Sequence, residues 1–202
     1  CVDCICGKYS EVVGATTIET CEQCVSGKYA PDEGNDEEED CVACIAGEYY
    51  DNPSGPRCID ACTDCIAGTF SSTVGADSVE TCQACGMGKY STLPGAISED
   101  ACQDCVAGKY LDTEGNDDPL DCVDCVCGKY STVPAATAID TCVDCVAGKY
   151  APGAGHDEET DCVLCAAGKY YEQAAQCSDV CTECVAGKYL TTEGNDEEAD
   201  CE

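Results

Sequence analysis

The residues that this sequence lacks narrow its fold first. Among 202 residues there is no Trp, one Phe (Phe70), one Met (Met87) and one His (His156). The bulky side chains around which a chain of this length builds one or two globular cores are therefore scarce. A hydrophobic share of 44% does not repair the deficit, because 25 of those residues are Cys and most of the remainder are Ala and Val, which bury little area each. No apolar run approaches the roughly eighteen residues that span a bilayer, so direct membrane insertion is not expected. Basic residues number nine against 41 acidic ones, and the net charge of −32 excludes nucleic acid and anionic membrane as natural partners. None of Asn35, Asn52, Asn116 and Asn195 lies in an N-glycosylation acceptor sequence. With no initiator Met and no apolar leader at its start, the chain reads as an internal segment of a longer mature protein.

Cysteine is abundant, and it is periodic. Cys-x-x-Cys pairs begin at positions 1, 21, 41, 62, 82, 102, 122, 142, 162 and 181, and an eleventh opens at Cys201. The spacing defines ten tandem repeats: 1–20, 21–40, 41–61, 62–81, 82–101, 102–121, 122–141, 142–161, 162–180 and 181–200, with 201–202 starting a further one. Six residues after the first Cys comes Gly, then usually Lys, then an aromatic: Tyr9, Tyr29, Tyr49, Phe70, Tyr90, Tyr110, Tyr130, Tyr150, Tyr170 and Tyr189. A second Gly follows in most repeats, as at Gly14, Gly75 and Gly155, and Ala135 takes that place in the seventh; left-handed backbone is expected there without being obligatory. A slower period lies over the fast one. The three-repeat block 1–61 is duplicated at 122–180, with Cys6 matching Cys127, Tyr49-Tyr50 matching Tyr170-Tyr171, and Cys58 matching Cys177.

Two chemistries compete for these cysteines. Read locally, two Cys-x-x-Cys pairs separated by sixteen residues fit a zinc ribbon. Read along the chain, every pair has equal neighbours on both sides, no His joins, and Cys6, Cys58, Cys127 and Cys177 would have no metal role. Disulfides are the better reading, and they imply an oxidising, extracytoplasmic compartment. No metal ligand set is assigned, and the tandem pairs read as staples rather than redox centres.

The run Cys-x-x-Gly-Lys/Thr-Tyr, a loop, then Cys-x-x-Cys resembles the ephrin-receptor-like cysteine-rich repeat, and is similar to the simplest loop module of tumour-necrosis-factor-receptor ectodomains. The resemblance spans all ten repeats. It implies that the Cys before Gly-x-Tyr closes a loop to the next Cys downstream. Carried over, this gives Cys4 with Cys21, Cys24 with Cys41, Cys65 with Cys82, Cys85 with Cys102, Cys105 with Cys122, Cys125 with Cys142, Cys145 with Cys162, and Cys184 with Cys201. Cys44 faces Cys58 or Cys62, and Cys165 faces Cys177 or Cys181. The candidates left over are available to Cys6 and Cys127, bridging the first and third repeats of each block; cross-links to neighbouring chains are the alternative. Cys1 is left over in either scheme, and its natural partner would lie in a preceding repeat.

The expected fold is a small disulfide-rich repeat protein: an elongated rod of about ten 20-residue modules with short β-hairpins and turns, little helix and no conventional hydrophobic core. Each loop of about 17 residues closed by one disulfide gains roughly 3 kcal/mol in the chain-entropy model, in place of apolar burial. Stability should grow as a sum of nearest-neighbour terms, with each aromatic ring stacked on a disulfide and on the next repeat's Val or Ile. A short strand is expected at Gly-Lys-Tyr, a turn at the second Gly, and a return strand or single helical turn at segments such as "DEEED" or "SVET".

The surface groups suggest little chemistry. Eight of the nine basic residues are the Lys of Gly-Lys-Tyr, which reads as a row of solvated ion pairs or as a contact for an acidic partner or glycan. The acidic segments 33–40, 114–121 and 193–200 read as solvated turns, with ordered calcium the alternative although none has EF-hand spacing. Ser/Thr-rich turns at 71–75 and 131–138 are candidate O-glycan sites. His156 is a repeat variant standing where other repeats place Asn or Ala, and no catalytic constellation or cofactor site is expected. Composition and repetition favour a structural extracellular protein that self-associates or joins other filament subunits into a filament, cell-surface hair or matrix fibre. The alternative is the stalk or ligand-binding ectodomain of a receptor or adhesin.

Overall fold

Each repeat begins its fold at a glycine that must adopt a left-handed backbone. The computed structural model describes residues 3–51 and 62–202. In the seventh repeat Gly128 has φ 78°, and the turn around it closes when Lys129 N–H donates to the Val126 carbonyl at 3.2 Å. The chain leaves this turn as the strand Lys129–Tyr130, which pairs antiparallel with Val143–Asp144 of the next repeat, Lys129 opposite Asp144 and Tyr130 opposite Val143. A 3₁₀ turn at Ile139–Thr141 brings the backbone round to Cys142, whose N–H donates to the Ile139 carbonyl at 2.9 Å. The Cys125–Cys142 disulfide closes the ring. Turn, strand, 3₁₀ turn and return strand are thus written into one 20-residue period.

The chain forms two compact units that interleave in sequence. The first comprises Cys1–Cys85, Ser91–Cys102 and Gly115–Asp117. Its hairpins pair Lys8–Tyr9 with Glu22–Gln23, Lys28–Tyr29 with Val42–Ala43, Glu48–Tyr49 with Thr63–Asp64, and Thr69–Phe70 with Gln83–Ala84. The second comprises Gly86–Tyr90, Gln103–Glu114 and Asp118–Glu202. Its hairpins join Lys89–Tyr90 to Gln103–Asp104, Lys109–Tyr110 to Val123–Asp124, Lys129–Tyr130 to Val143–Asp144, Lys149–Tyr150 to Val163–Leu164, and Lys169–Tyr170 to Thr182–Glu183. All are antiparallel and two residues long, too short to stand alone. A second edge supports them: Tyr130 also makes a parallel bridge to His156 of the next repeat, and Ser131 N–H donates to the His156 carbonyl at 3.0 Å.

The core is made mainly of sulfur and small side chains. Among the described residues the buried groups are chiefly ring cysteines, together with Ala30, Ala76, Ala96, Ala136, Ala151, Leu111 and Tyr50, and the serines Ser71, Ser91 and Ser131. Tyr9 packs on Cys24, Ala30 and Cys41; Tyr90 on Cys105, Leu111 and Cys122; and Tyr130 on Cys145, Ala151 and Cys162. Each of these rings therefore covers the disulfide that its successor repeat forms. Across the hairpins, Tyr29, Tyr110, Tyr130 and Tyr150 also stand opposite a Val of the next repeat, Val42, Val123, Val143 and Val163. The residue following the ring cysteine, Ile5, Val25, Ile45, Ile66, Val106, Val126, Val146 or Val185, lies on the surface at 46–72% exposure. The residue after the aromatic, small in most repeats, takes the interior place instead.

The expected sum of nearest-neighbour terms also needs correction, because contacts reach the next repeat but one. In the second unit, a Cβ on Gly108 would overlap the Gly155 carbonyl oxygen two repeats on, and Gly88, Gly128 and Gly148 stand in the same way against Ala135, Ala175 and Gly194. In the first, Gly27, Gly47 and Gly68 stand against Gly75, Gly95 and Gly115. The intervening repeat sets this contact up: Gly155 N–H donates to the Cys125 carbonyl at 2.8 Å, leaving its own carbonyl against Gly108. Ala135 and Ala175 hold their places with φ 50° and 60°, so the backbone geometry is kept where glycine is not.

Replacing Gly108 by Ala introduces both a steric overlap and left-handed strain at φ 81°, and should cost at least about 2 kcal/mol in denaturant unfolding with disulfides intact. Gly86→Ala, where the added carbon meets open space, should leave the midpoint essentially unchanged.

Candidate functional site

The feature most specific to this chain is its network of covalent rings. Eleven bridges join described cysteines. Ten close rings between consecutive repeats, at sequence separations of 16 to 18: Cys4–Cys21, Cys24–Cys41, Cys44–Cys62, Cys65–Cys82, Cys85–Cys102, Cys105–Cys122, Cys125–Cys142, Cys145–Cys162, Cys165–Cys181 and Cys184–Cys201. Cys44 thus takes Cys62, and Cys165 takes Cys181. The eleventh, Cys127–Cys177, spans 50 residues and ties the seventh repeat to the ninth. Cys127 is therefore bonded within its own chain. The next-but-one contact explains why: Gly128 already lies against Ala175, so Cys127, next to Gly128, and Cys177, two residues past Ala175, fall within bonding reach. Cys6 is also disulfide-bonded. Cys1 and Cys58 lie outside the described residues. Bridges so numerous point to an extracellular or secreted protein.

Around the rings the lysine row forms short ion pairs by a simple rule. Where the cross-strand residue is Asp the lysine meets it: Lys89 with Asp104 at 3.1 Å, Lys109 with Asp124 at 2.9 Å, and Lys129 with Asp144. Where that residue is Ala43 or Leu164, the lysine turns instead to its own repeat's acidic turn, Lys28 to Glu38 at 3.6 Å and Lys149 to Glu159 at 3.1 Å. These pairs are half-exposed and each is worth at most about 1 kcal/mol.

The aromatic row is half-buried from Tyr29, Tyr49 and Phe70 through Tyr110, Tyr150 and Tyr170, and Tyr189 is exposed. Several phenols donate to the second residue of the next repeat: Tyr9 to Glu22 at 3.4 Å, Tyr90 to Gln103 at 3.2 Å and Tyr189 to Glu202 at 3.1 Å. Partial burial, then the charges of Glu22, Glu38 and Glu11, raise the Tyr9 phenol above its ordinary value. Tyr170 is raised in the same direction by partial burial and by Glu198 and Glu172.

The acidic segments use their carboxylates on their own backbone. Asp40 Oδ2 accepts from Asp36 N–H and Glu37 N–H at 3.0 and 3.2 Å, and Asp161 does the same for Asp157 and Glu158. Asp121 and Asp200 accept from Asp118 and Glu197. Each cluster thus caps a 3₁₀ turn. Among the described residues no group of three or more His, Cys, Asp or Glu side chains is placed to hold a metal ion. His156 fills an asparagine's place: its Nε2 donates to the Pro152 carbonyl at 2.9 Å, as Asn35 and Asn195 donate to Asp32 and Thr192. At the Ser/Thr-rich turns, Ser71 and Ser131 are buried and accept from Thr73 and Val133 N–H, leaving Ser72, Thr73 and Thr132 exposed to any sugar.

No protein-family model matches this chain, and no curated protein matches it.

Asp124→Asn breaks an exposed pair only, so it should shift the unfolding midpoint by less than about 1 kcal/mol, and a double-mutant cycle with Lys109→Gln should show a coupling that fades in high salt.

Proposed function

We propose that the chain is a structural extracellular protein, an acidic disulfide-stapled rod that self-associates, or joins other filament subunits, to build a filament, cell-surface hair or matrix fibre. The observation that carries this proposal is the exposed aliphatic position beside the rings. Eight repeats place Ile or Val there, in a chain that has few large apolar side chains to spare. An aliphatic residue repeated in eight of the ten modules offers neighbours a series of small contacts, each gaining about 25 cal/mol per Å² buried. The charge of −32 opposes indiscriminate clumping, so that only contacts in register pair enough apolar surface to outweigh repulsion. Covalent rings supply the remaining property of a load-bearing element, since tension on a closed ring meets a bond rather than a packed core.

Resemblance to receptor modules favours a second function, the stalk or ligand-binding ectodomain of a receptor or adhesin. Against it stands the closeness of the repeats to one another, since a docked ligand would call for divergence at its site.

Electron microscopy and sedimentation of the oxidised chain separate the two. Polymers with an axial period set by blocks of several repeats are expected, and dispersed monomers at every concentration would contradict the proposal. Val106→Asp, Val126→Asp and Val146→Asp together should abolish polymers while leaving the disulfide map unchanged.

A further inference from the structure

We propose that the Cys127–Cys177 bridge is a thiol-exchange site, opened by attack of a thiolate on the Cys177 sulfur, and that Cys177, once reduced, bonds a second copy of this chain. Two independent observations carry this inference. The first is access: among the described cysteines Cys177 alone is exposed, and its partner Cys127 is half-buried. Every ring bridge, by contrast, has at least one buried cysteine, from Cys4 in the first repeat to Cys201 after the last. Thiol–disulfide exchange needs an in-line approach to one sulfur, so exposure selects the bridge that reacts.

The second observation is topological. Cys127–Cys177 is the described bridge that joins repeats two apart, and no ring depends on it: Cys125–Cys142, Cys145–Cys162 and Cys165–Cys181 close independently. The segment holding Cys177 also departs from the standard repeat. Where the eighth repeat forms the 3₁₀ turn Glu159–Asp161 before its ring cysteine, the ninth runs through Gln176 to Val180 without one, and Asp179 Oδ1 accepts from Cys181 N–H at 3.2 Å. Opening the bridge therefore frees a surface segment while its ring stays shut.

The chemistry balances without an outside oxidant. A thiolate attacks Cys177 Sγ, a mixed disulfide forms, and the electron pair of the old bond leaves on Cys127 as thiolate. A second thiolate displaces Cys177, so that two small thiols become one disulfide and the bridge becomes two thiols. The Cys177 thiolate then attacks Cys177 of a closed bridge on another copy, forming one interchain bond and releasing that copy's Cys127. The number of disulfides is unchanged in this last step. The exchange site stands by itself; the interchain bond rests on the self-association proposed above.

The test treats the folded chain with limiting dithiothreitol, alkylates, and maps the labelled cysteines. Cys127 and Cys177 should be labelled together, at least about tenfold faster than Cys125, Cys142, Cys165 or Cys181. Equal or earlier labelling of ring cysteines would overturn the exchange site. After a trace of dithiothreitol at high protein concentration, non-reducing electrophoresis should show dimers whose linked peptides contain Cys177. These should be absent from the Cys127→Ser, Cys177→Ser double variant, whose fold is checked by mapping its ring bridges. Rapid labelling with no dimer overturns the interchain bond and leaves the exchange site. Polymers that form with no preferential labelling overturn the exchange site and leave the structural function; the reverse result does the opposite.

Discussion

The ring-closing disulfide, buried beneath the preceding repeat's tyrosine, is the bond on which everything else in this molecule rests. A two-residue hairpin and a three-residue 3₁₀ turn have almost no stability of their own, and the interior holds mainly alanines, serines and sulfurs. Closing a loop of about 17 residues removes roughly 3 kcal/mol of unfolded-state entropy per ring in the chain-entropy model, which is the scale of help that such weak elements need. The aromatic ring then serves the sulfur pair as a lid. Tyr9, Tyr90 and Tyr130 each cover the next repeat's bridge, so each of these rings is completed by the repeat before it.

Backbone contact at the second level explains the glycines. A repeat touching its successor would need only one left-handed turn, whereas these repeats also press Gly108-type turns against a carbonyl two repeats away. That approach leaves no space for a side chain, and it also places Cys127 beside Cys177. The 20-residue period, the Gly-Lys-Tyr strand and the helical turn at "SVET" were legible in the sequence because turn chemistry and cysteine spacing are local signals. The choice of Cys62 over Cys58, and of Cys181 over Cys177, was not legible, since the two candidates lie four residues apart in the sequence and only the three-dimensional neighbour decides. The exposure of the Val or Ile after the ring cysteine, with the residue after the aromatic taking the interior place, carried no signal in the sequence.

Charge plays a quieter part than its total suggests. Carboxylates that look like a calcium site in sequence, such as Asp40 and Asp121, accept from backbone N–H groups at the start of a 3₁₀ turn. Five lysines choose between a cross-strand Asp and an acidic turn according to what faces them, and each of these pairs brings little energetic gain. Sulfur holds the repeat, small residues and glycine let the backbones close up, and the acidic surface, studded with regularly spaced aliphatics, faces whatever the chain meets.

The central claim is that covalent rings, not an apolar core, maintain this fold. Its most direct test is the amide proton–nitrogen NMR spectrum before and after complete reduction and alkylation at neutral pH. The account predicts that dispersed resonances collapse to the narrow range of an unfolded chain throughout the sequence. A spectrum that keeps its dispersion with every bridge removed would show that side-chain packing suffices, and would contradict it.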